Sequence, residues 1–256
     1  MKAIILSAGT GSRLRPYTLD RPKSMIVVKG KSLLERNLAC LSRIGIRDIT
    51  VVTGHQPHLI DTVRAVKTVY NSLYTNSNMV YSLFKAMKSA DEDVLIIYGD
   101  CVYHPIIFDH LLHKINPINV CVDINWRPYW CARFGEEEMV KDAESLLMDD
   151  DGNILDIGQR ISSPEQPMAQ FMGLCRLNRD GVKIFFDLYN HLGTNAIQNI
   201  FFTEFLMLMI QSGVNVNAHE VVEPWVEIDT PRDLCSDFTG SRIKNIDDAL
   251  WPDVND

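Results

Sequence analysis

The sequence predicts an α/β protein with a Rossmann-like, doubly wound and mostly parallel sheet. The prediction depends on short apolar runs, Lys2 to Leu6 and Val94 to Tyr98, which are rich in Ile and Val and end in glycine-containing turns. Strands that are covered on both faces have this composition. Segments with helical periodicity lie between such runs, and the first run leads directly into the glycine-rich stretch Ser-Ala-Gly-Thr-Gly. A loop of this kind at the carboxyl end of a strand is typical of a phosphate site.

The first half of the chain alternates strands and helices in order. Ser32 to Ile44 has apolar residues at helical spacing, with Ser32 as a candidate N-cap, Glu35 three positions later and Gly45 as the terminator. Asp48 to Thr53 has the composition of a strand. Two further helices are predicted, over Met79 to Ser89 and over Pro105 to His113. Such alternation gathers ligands at the carboxyl ends of the strands.

The composition of the chain changes after about Cys121. An aromatic segment at 123–134 and an acidic segment at 136–151 precede strand-like pieces around Ile154 to Ile157 and Phe171 to Leu177. We therefore expect a small β-rich insert, about 121–177, that forms the wall of a second pocket. The later predicted elements are helices over Asp180 to His191 and roughly Ile200 to Gln211, a strand over Val214 to Ala218, and a strand, turn and helix from Pro224 to about Ser236.

The predicted organisation is a single domain over 1–238 followed by a polar tail over 239–256, either disordered or a contact arm. Hydrophobic residues make up 46% of the chain and charged residues 23%, which is ordinary globular composition. The formal net charge of -8, without a basic run, argues against nucleic acid or anionic lipid as a partner. The six cysteines form no CxxC pair, and no apolar run reaches membrane-spanning length, so we expect a soluble cytoplasmic protein. A homodimer is an option that the sequence leaves open.

The glycine loop distinguishes several kinds of phosphate site. Gly9 and Gly11 are not followed by the third glycine of a dinucleotide fingerprint, and no Gly-Lys-Ser/Thr follows at Walker spacing. The loop does offer unshielded backbone N–H groups together with Arg13, Arg15 and Lys23 in one segment. These cations suit the charges of a nucleoside triphosphate. The alternative is a tight turn with solvated basic residues.

The segment GTGSRLRPYTLDRPKSM resembles the signature G-x-G-x-R-L-x-P-x-T followed by P-K, which belongs to the nucleotidyltransferases that activate sugar phosphates and small alcohol phosphates. The matching residues are Gly9, Gly11, Arg13, Leu14, Pro16, Thr18, Pro22 and Lys23. The resemblance continues in the family's order at 30–55, in YGD at 98–100 and in WVEIDTPRDL at 225–234, and it covers most of the chain. It implies that Arg13 and Lys23 handle the triphosphate, while Asp100 and Asp229 hold Mg²⁺.

These implied catalytic residues also have structural interpretations. Asp100 alone is a candidate turn former, and Asp229 a candidate N-cap of the helix that begins near Pro231. Lys23 alone is a candidate solvated loop residue. The reaction implied by the resemblance is attack by an acceptor phosphate oxygen on the α phosphorus, which expels pyrophosphate. A phosphate monoester with a second pKa of about 6 is largely dianionic at neutral pH, so this chemistry needs cations and alignment rather than a general base.

The stretch TNSNMVYSLFKA at 75–86 resembles the corresponding part of the choline-phosphate cytidylyltransferase branch, which implies CTP as the nucleotide. An amide at Asn78, beside Ser77, suits a pyrimidine edge, and the alternative is simple N-capping of the helix that follows. The predicted nucleotide-binding residues are Leu6, Ala8, Gly9, Thr10, Gly11, Ser12, Arg13, Lys23, Ser77, Asn78 and Gly99.

The acceptor region departs from the sugar-phosphate pattern. Members that use sugar phosphates carry Glu-Lys-Pro and Asn-x-Gly elements, where this chain has Gly158-Gln159-Arg160 and 169–173. Aromatic residues beside an acid can receive an ammonium group, and Arg160 can clamp a phosphate or phosphonate, although dense aromatics can also simply pack the insert. The predicted acceptor-binding residues are Asp123, Trp126, Tyr129, Trp130, Arg133, Arg160 and Trp225.

The function predicted from these patterns is Mg²⁺-dependent transfer of CMP from CTP to a small phosphorylated or phosphonate acceptor, such as one like phosphocholine or aminoethylphosphonate. One alternative is a sugar-1-phosphate uridylyl- or thymidylyltransferase. An alternative of another class is a non-catalytic, nucleotide-sensing subunit. The joint presence of Arg13, Lys23, Asp100 and Asp229 favours an enzyme over a sensor, because a binding module needs no pair of metal carboxylates.

Overall fold

The structure is a computed structural model that describes residues 1–252. Within that range the chain forms thirteen strands and eleven helices, besides short 3-10 turns. The strands are β1 (Lys2–Ser7), β2 (Val27–Val28), β3 (Lys31–Ser32), β4 (Asp48–Thr53), β5 (Lys67–Tyr70), β6 (Val94–Tyr98), β7 (Cys101–Tyr103), β8 (Ile118–Asp123), β9 (Glu144–Met148), β10 (Ile154–Arg160), β11 (Gln170–Leu177), β12 (Asn217–Val221) and β13 (Trp225–Glu227). The helices are α1 (Leu33–Arg43), α2 (His58–Asp61), α3 (Met79–Ala86), α4 (Pro105–Leu112), α5 (Trp126–Phe134), α6 (Met139–Asp142), α7 (Arg179–Leu192), α8 (Thr194–Ile197), α9 (Phe202–Gln211), α10 (Pro231–Cys235) and α11 (Asp237–Leu250).

A seven-stranded sheet with the order β12-β8-β11-β6-β1-β4-β5 forms the centre of the fold. All its neighbours pair in parallel except β11, which is antiparallel to both β8 and β6. The predicted mostly parallel α/β sheet is therefore confirmed. Strand β1 shows why its run is continuously apolar: Ile4 packs into the hydrophobic cluster on one face of the sheet and Ile5 into the cluster on the other.

Helix α1 begins and ends where the sequence indicates. Ser32 Oγ accepts a hydrogen bond from the Glu35 N–H at 3.1 Å, while Glu35 Oε2 accepts one from the Ser32 N–H at 2.6 Å. This reciprocal arrangement satisfies two backbone donors at the start of the helix. Gly45 follows the helix with a φ of 77°, which favours glycine.

The insert predicted over 121–177 is wrong in its extent. Its first residues belong to β8 and its last to β11, and both strands lie inside the main sheet. The aromatic segment forms helix α5, and within 121–177 only β9 and β10 form an antiparallel pair outside the main sheet. The reason is that β11 returns between β8 and β6, which is a long-range pairing that a local pattern does not show. The strand predicted over Val214 to Ala218 likewise lies slightly later, at β12.

The polar tail predicted over 239–256 is helical as far as Leu250. Ser236 caps α11 by accepting the Thr239 N–H, and Ile243 and Ile246 are fully buried. They join a third hydrophobic cluster that includes Leu14. Most residues of the helix are polar because only one side is covered. Residues 253–256 of the predicted tail lie outside the described residues.

The six cysteines are free, and four of them are buried. Among the helices of residues 1–252, none combines the length and apolar character needed to cross a membrane.

Candidate active site

A cavity of about 360 Å³ lies at the carboxyl ends of β1 and β6. The residues that line it are Leu6, Ser7, Ala8, Gly9, Gly11, Ser12, Arg13, Lys23, Tyr74, Ser77, Asn78, Met79, Ser82, Gly99, Asp100 and Asp229. All the predicted nucleotide-binding residues are among them except Thr10, and so are all the predicted catalytic residues. The cavity is also lined by Ser7, Tyr74, Met79 and Ser82, which lie in no motif that would have predicted them.

Gly11 sets the shape of the loop after β1. Its φ of 62° lies in the left-handed region, and a Cβ there would come within 2.9 Å of both Lys23 Cγ and Thr18 Cγ2. Thr18 Oγ1 also donates to the Gly11 carbonyl at 2.7 Å. Glycine at this position thus allows the Lys23 side chain to pass directly over the loop.

The Lys23 ammonium connects the two predicted metal-binding aspartates. Its Nζ donates to Asp100 Oδ2 at 2.9 Å and also to Asp229 Oδ1. The Lys23 side chain is only 18% exposed, and that of Asp229 only 2%. Burial lowers the pKa of Lys23, but the two carboxylates outweigh burial, and the net shift is upward. Lys23 is therefore a charged, partly buried side chain and not a solvated loop residue.

Asp229 faces cations because the helix cap is supplied by its neighbours. Thr230 is the N-cap of α10, and Asp233 Oδ2 accepts the N–H groups of Asp229 at 3.0 Å and Thr230 at 2.7 Å. The Asp229 carboxylate does not cap the helix, so that alternative is wrong. It instead accepts from Arg13 Nη2 at 2.5 Å, in addition to Lys23.

Asp100 is held beside Asp229 by the backbone. Its carbonyl accepts the Ile228 N–H at 3.0 Å, which joins the segment after β6 to the segment before Asp229. Two carboxylates separated by more than a hundred residues thus meet around one ammonium group. Within residues 1–252 no group of three or more His, Cys, Asp or Glu side chains could hold a metal ion. Mg²⁺ needs only one or two carboxylates when substrate phosphates and waters complete its octahedron, so the Asp100 and Asp229 pair fits that ion.

Asn78 and Ser77 lie at the other end of the cavity, at the start of α3. Asn78 occupies the N-cap position without a capping side-chain bond, and its Nδ2 donates instead to the Asn199 carbonyl at 2.6 Å. The capping alternative for this amide is therefore wrong. The fully buried Asn71 donates to Ser77 Oγ at 3.0 Å and to Ser82 Oγ at 2.9 Å, which fixes both hydroxyls at the cavity wall.

The aromatic residues predicted to bind the acceptor are packed inside the protein. Trp126 and Trp225 are 1% exposed, Tyr129 is fully buried, and Trp130 is 4% exposed. Their rings pack mainly edge to face, with centroids 5.4 to 6.0 Å apart, and none of them lines the cavity. These aromatics expose no ring face to a ligand, which corrects the prediction in favour of the packing alternative.

The polar residues of the predicted acceptor set also lie away from the cavity. Asp123 accepts from Trp225 Nε1 at 2.8 Å, inside the aromatic cluster. Arg133 is 3% exposed and is paired with Glu227 and Asp233. Arg160 is exposed at the end of β10 and does not line the cavity.

Glu227 is an acidic neighbour of the site that was not among the predicted site residues. It ends β13, two residues before Asp229, and its side chain is about a quarter exposed at 26%. Removal from water raises the pKa of Glu227 above its ordinary value, against the opposing attraction of Arg133. Asp100 and Asp229 add to the upward shift. The signal that could have identified Glu227 was its place inside WVEIDTPRDL.

Residues 3–154 match the MobA-like NTP transferase domain. The CTP:phosphoglutamine cytidylyltransferase of Campylobacter jejuni subsp. jejuni serotype O:2 is 32% identical over 253 residues, which span 91% of this chain and 98% of that protein. The choline-phosphate cytidylyltransferase of Streptococcus pneumoniae is 40% identical over 87 residues, or 33% of this chain and 38% of that protein.

Among solved structures, the inositol-1-phosphate CTP transferase from T. maritima has the same fold. It superposes with a TM-score of 0.77 over 96% of both chains, at 21% sequence identity. The family match and the relative that aligns over nearly its whole length both indicate a nucleotidyltransferase. The cavity at the strand ends is consistent with that activity. The chain belongs to the MobA-like NTP transferase family and is a nucleotidyltransferase.

Proposed function

We propose that this enzyme transfers CMP from CTP to a small phosphorylated or phosphonate acceptor and releases pyrophosphate. The observation that carries the proposal is the convergence of Arg13, Lys23, Asp100 and Asp229 on one cavity beside a glycine loop. CTP is favoured because the relative that aligns over 98% of its own length is a CTP-dependent cytidylyltransferase. A small phosphorylated acceptor is proposed because that relative acts on phosphoglutamine, and because a choline-phosphate cytidylyltransferase is 40% identical to this chain over 87 residues.

The reaction is a displacement at the α phosphorus. An acceptor phosphate or phosphonate oxygen forms a new bond to that phosphorus. The bond from the α phosphorus to the oxygen that bridges it to the β phosphate breaks, and pyrophosphate leaves with the electron pair. The nucleophile is already an oxyanion at neutral pH, so no side chain has to remove a proton.

The residues of the cavity supply charge and alignment for this step. Arg13 and Lys23 are placed to neutralise phosphate oxygens that gain charge as pyrophosphate departs. The small residues Ala8, Gly9 and Gly11 leave the backbone of the loop open to a phosphate chain. Asp100 and Asp229 would hold Mg²⁺, which when bound supplies positive charge to the phosphates and helps to align the two anions.

The test is a panel of nucleotides and acceptors scored by pyrophosphate release. CTP, UTP and dTTP would each be combined with phosphocholine, 2-aminoethylphosphonate, phosphorylated glutamine, inositol 1-phosphate and glucose 1-phosphate. We expect turnover with CTP and a small non-sugar acceptor. Turnover only with hexose phosphates, or only with UTP or dTTP, would overturn the proposal and favour a sugar-1-phosphate enzyme.

An Asp100→Ala variant tests whether the site is catalytic or only senses nucleotide. We expect turnover to fall by at least about a hundredfold with the fold retained, because charge stabilisation at the reacting phosphates is lost. Asp180→Ala, at an exposed aspartate of α7, is the matched control and should keep full activity. A sensor would show no turnover in either protein, and Asp100→Ala would change only its nucleotide affinity.

A further inference from the structure

Arg133 lies on α5, outside the cavity, yet it is joined to both sides of the segment that carries Asp229. Its Nη1 donates to Glu227 Oε2 at 2.5 Å, and its Nε donates to Asp233 Oδ1 at 3.0 Å. Glu227 precedes Asp229 by two residues and Asp233 follows it by four. The guanidinium therefore spans the segment at two points, with Asp229 between them.

The contact to Asp233 reaches Asp229 through one further hydrogen bond. While Asp233 Oδ1 accepts from Arg133, Oδ2 of the same carboxylate accepts the backbone N–H of Asp229 at 3.0 Å. Rotation of the Asp233 carboxylate would break one of these bonds. Arg133 thus holds the Asp233 carboxylate in the orientation that fixes the Asp229 backbone.

The contact to Glu227 is reinforced from the same helix. Tyr129, one turn before Arg133, accepts the Glu227 N–H on its hydroxyl at 2.8 Å. Residue 227 is consequently held by its backbone and its side chain at once. The guanidinium itself has little freedom, because it is 3% exposed and the ring centroids of Tyr129, Trp130 and Phe134 lie 4.8 to 5.4 Å from it.

We propose that Arg133 is a positioning residue, which sets the orientation of the Asp229 carboxylate through Glu227 and Asp233 and thereby the affinity of the site for a divalent cation. The inference rests on the proposed function, in which Asp229 is a metal ligand. A planar fork that bonds two carboxylates in fixed directions is a property of arginine that lysine does not reproduce. Partners that orient a metal ligand commonly contribute about 10- to 100-fold to metal affinity.

The experiment measures Mn²⁺ binding in the presence of CTP by electron paramagnetic resonance, without acceptor, so that no turnover is needed. Arg133→Met is expected to weaken Mn²⁺ binding by about 10- to 100-fold. Arg133→Lys keeps the charge and is expected to show most of the same loss, because the fork is gone. Should Arg133→Met fail to fold, Arg133→Lys carries the measurement.

The matched control is Arg176→Met. Arg176 is also a buried, ion-paired arginine, but it bonds Asp93 at the opposite end of β6. Loss of the Arg176 guanidinium should lower the midpoint of thermal unfolding, as we also expect for loss of Arg133, but it should leave Mn²⁺ affinity unchanged. If Arg133→Met weakened Mn²⁺ binding no more than Arg176→Met, the positioning role would be wrong.

A double variant shows whether Arg133 acts through Asp229. In an Asp229→Asn background, Arg133→Met should cause no further loss of Mn²⁺ affinity, although it should still lower thermal stability. An equal loss of affinity in both backgrounds would overturn the inference. Absence of Mn²⁺ binding by the unmodified enzyme with CTP would overturn the proposed metal site and this inference together, whereas an effect equal to the control would overturn the inference alone.

Discussion

At the scale of single residues, the Lys23 ammonium occupies the position between two carboxylates where a divalent cation fits. It is 2.9 Å from Asp100 Oδ2 and also contacts Asp229. The ammonium and a divalent cation cannot both occupy this position. We therefore expect Lys23 to compete with a divalent cation in the free enzyme and to turn toward the phosphates when nucleotide is present.

Lys23→Met tests this competition. We expect turnover to fall by about 10²- to 10³-fold, since a cation that stabilises the leaving group is lost. We also expect Mn²⁺ to bind more tightly than to the unmodified enzyme when nucleotide is absent, because no ammonium has to be displaced. Titration with Mn²⁺ alone measures this, and Lys183→Met, at an exposed lysine of α7, is the control. Equal Mn²⁺ affinity in the variant and the unmodified enzyme would contradict the competition.

The residue scale also shows how far the motif could be interpreted. The sequence could predict which four charged residues line the cavity, because the family signature fixes their order along the chain. These residues are Arg13, Lys23, Asp100 and Asp229. The freedom of Asp229 from helix capping was not identifiable, because it depends on Thr230 and Asp233 taking the cap. The role of the aromatics was misjudged because composition does not show whether a ring faces a ligand or another ring.

At the scale of secondary-structure elements, the sequence predicted those strands and helix ends that depend on residues close together in the chain. The apolar runs of β1, β4 and β6 and the capping box of α1 lie where the sequence places them. The position of β11 between β8 and β6 was not predictable in this way, since strand pairing depends on residues distant in sequence. The packing of α11 against Leu14 and its neighbours is another long-range contact. It is the reason that this polar segment was predicted to be a tail and not a helix.

The edge strand β12 carries a buried histidine with a predictable effect on acid stability. His219 is 7% exposed and packs edge to face with His110, their ring centroids being 6.4 Å apart. The pKa of His219 is lowered to about 4, mainly by burial; the charges of Lys114 and His110 add to the lowering, and Glu223 opposes it. The unfolded chain, with a histidine pKa near 6.5, binds a proton at a higher pH than the folded protein does.

The sign of the effect follows from this difference. Above about pH 6.5 the histidine is neutral in both states, and between about 6.5 and 4 only the unfolded state gains a proton, so stability falls as the pH falls. The loss amounts to about 3 kcal/mol at most for the full shift. His219→Gln should reduce the decline in the free energy of unfolding between pH 7 and pH 4.5, measured by urea denaturation. The exposed His191→Gln is the control, and an unchanged decline in His219→Gln would contradict the assignment.

At the scale of the whole molecule, the site ties together segments that are far apart in the chain. The loop after β1, the end of β6 and the segment before α10 meet at Lys23, Asp100 and Asp229. A ligand that contacts all these segments binds the folded chain and not the unfolded one. Ligand binding should therefore raise the stability of the entire fold and not only order one loop.

This coupling predicts how nucleotide and metal act together on unfolding. Mg²⁺ alone should stabilise the protein little, because Lys23 already satisfies both carboxylates, whereas CTP with Mg²⁺ should stabilise it by more than the sum of the separate effects. With Mg²⁺ present and CTP at about a hundred times its dissociation constant, the free energy of unfolding should rise by about 2.7 kcal/mol. Urea denaturation with CTP, Mg²⁺, both and neither measures this, and Asp229→Asn should abolish the excess. Strictly additive effects of CTP and Mg²⁺ in the unmodified enzyme would show that the two ligands do not share this site.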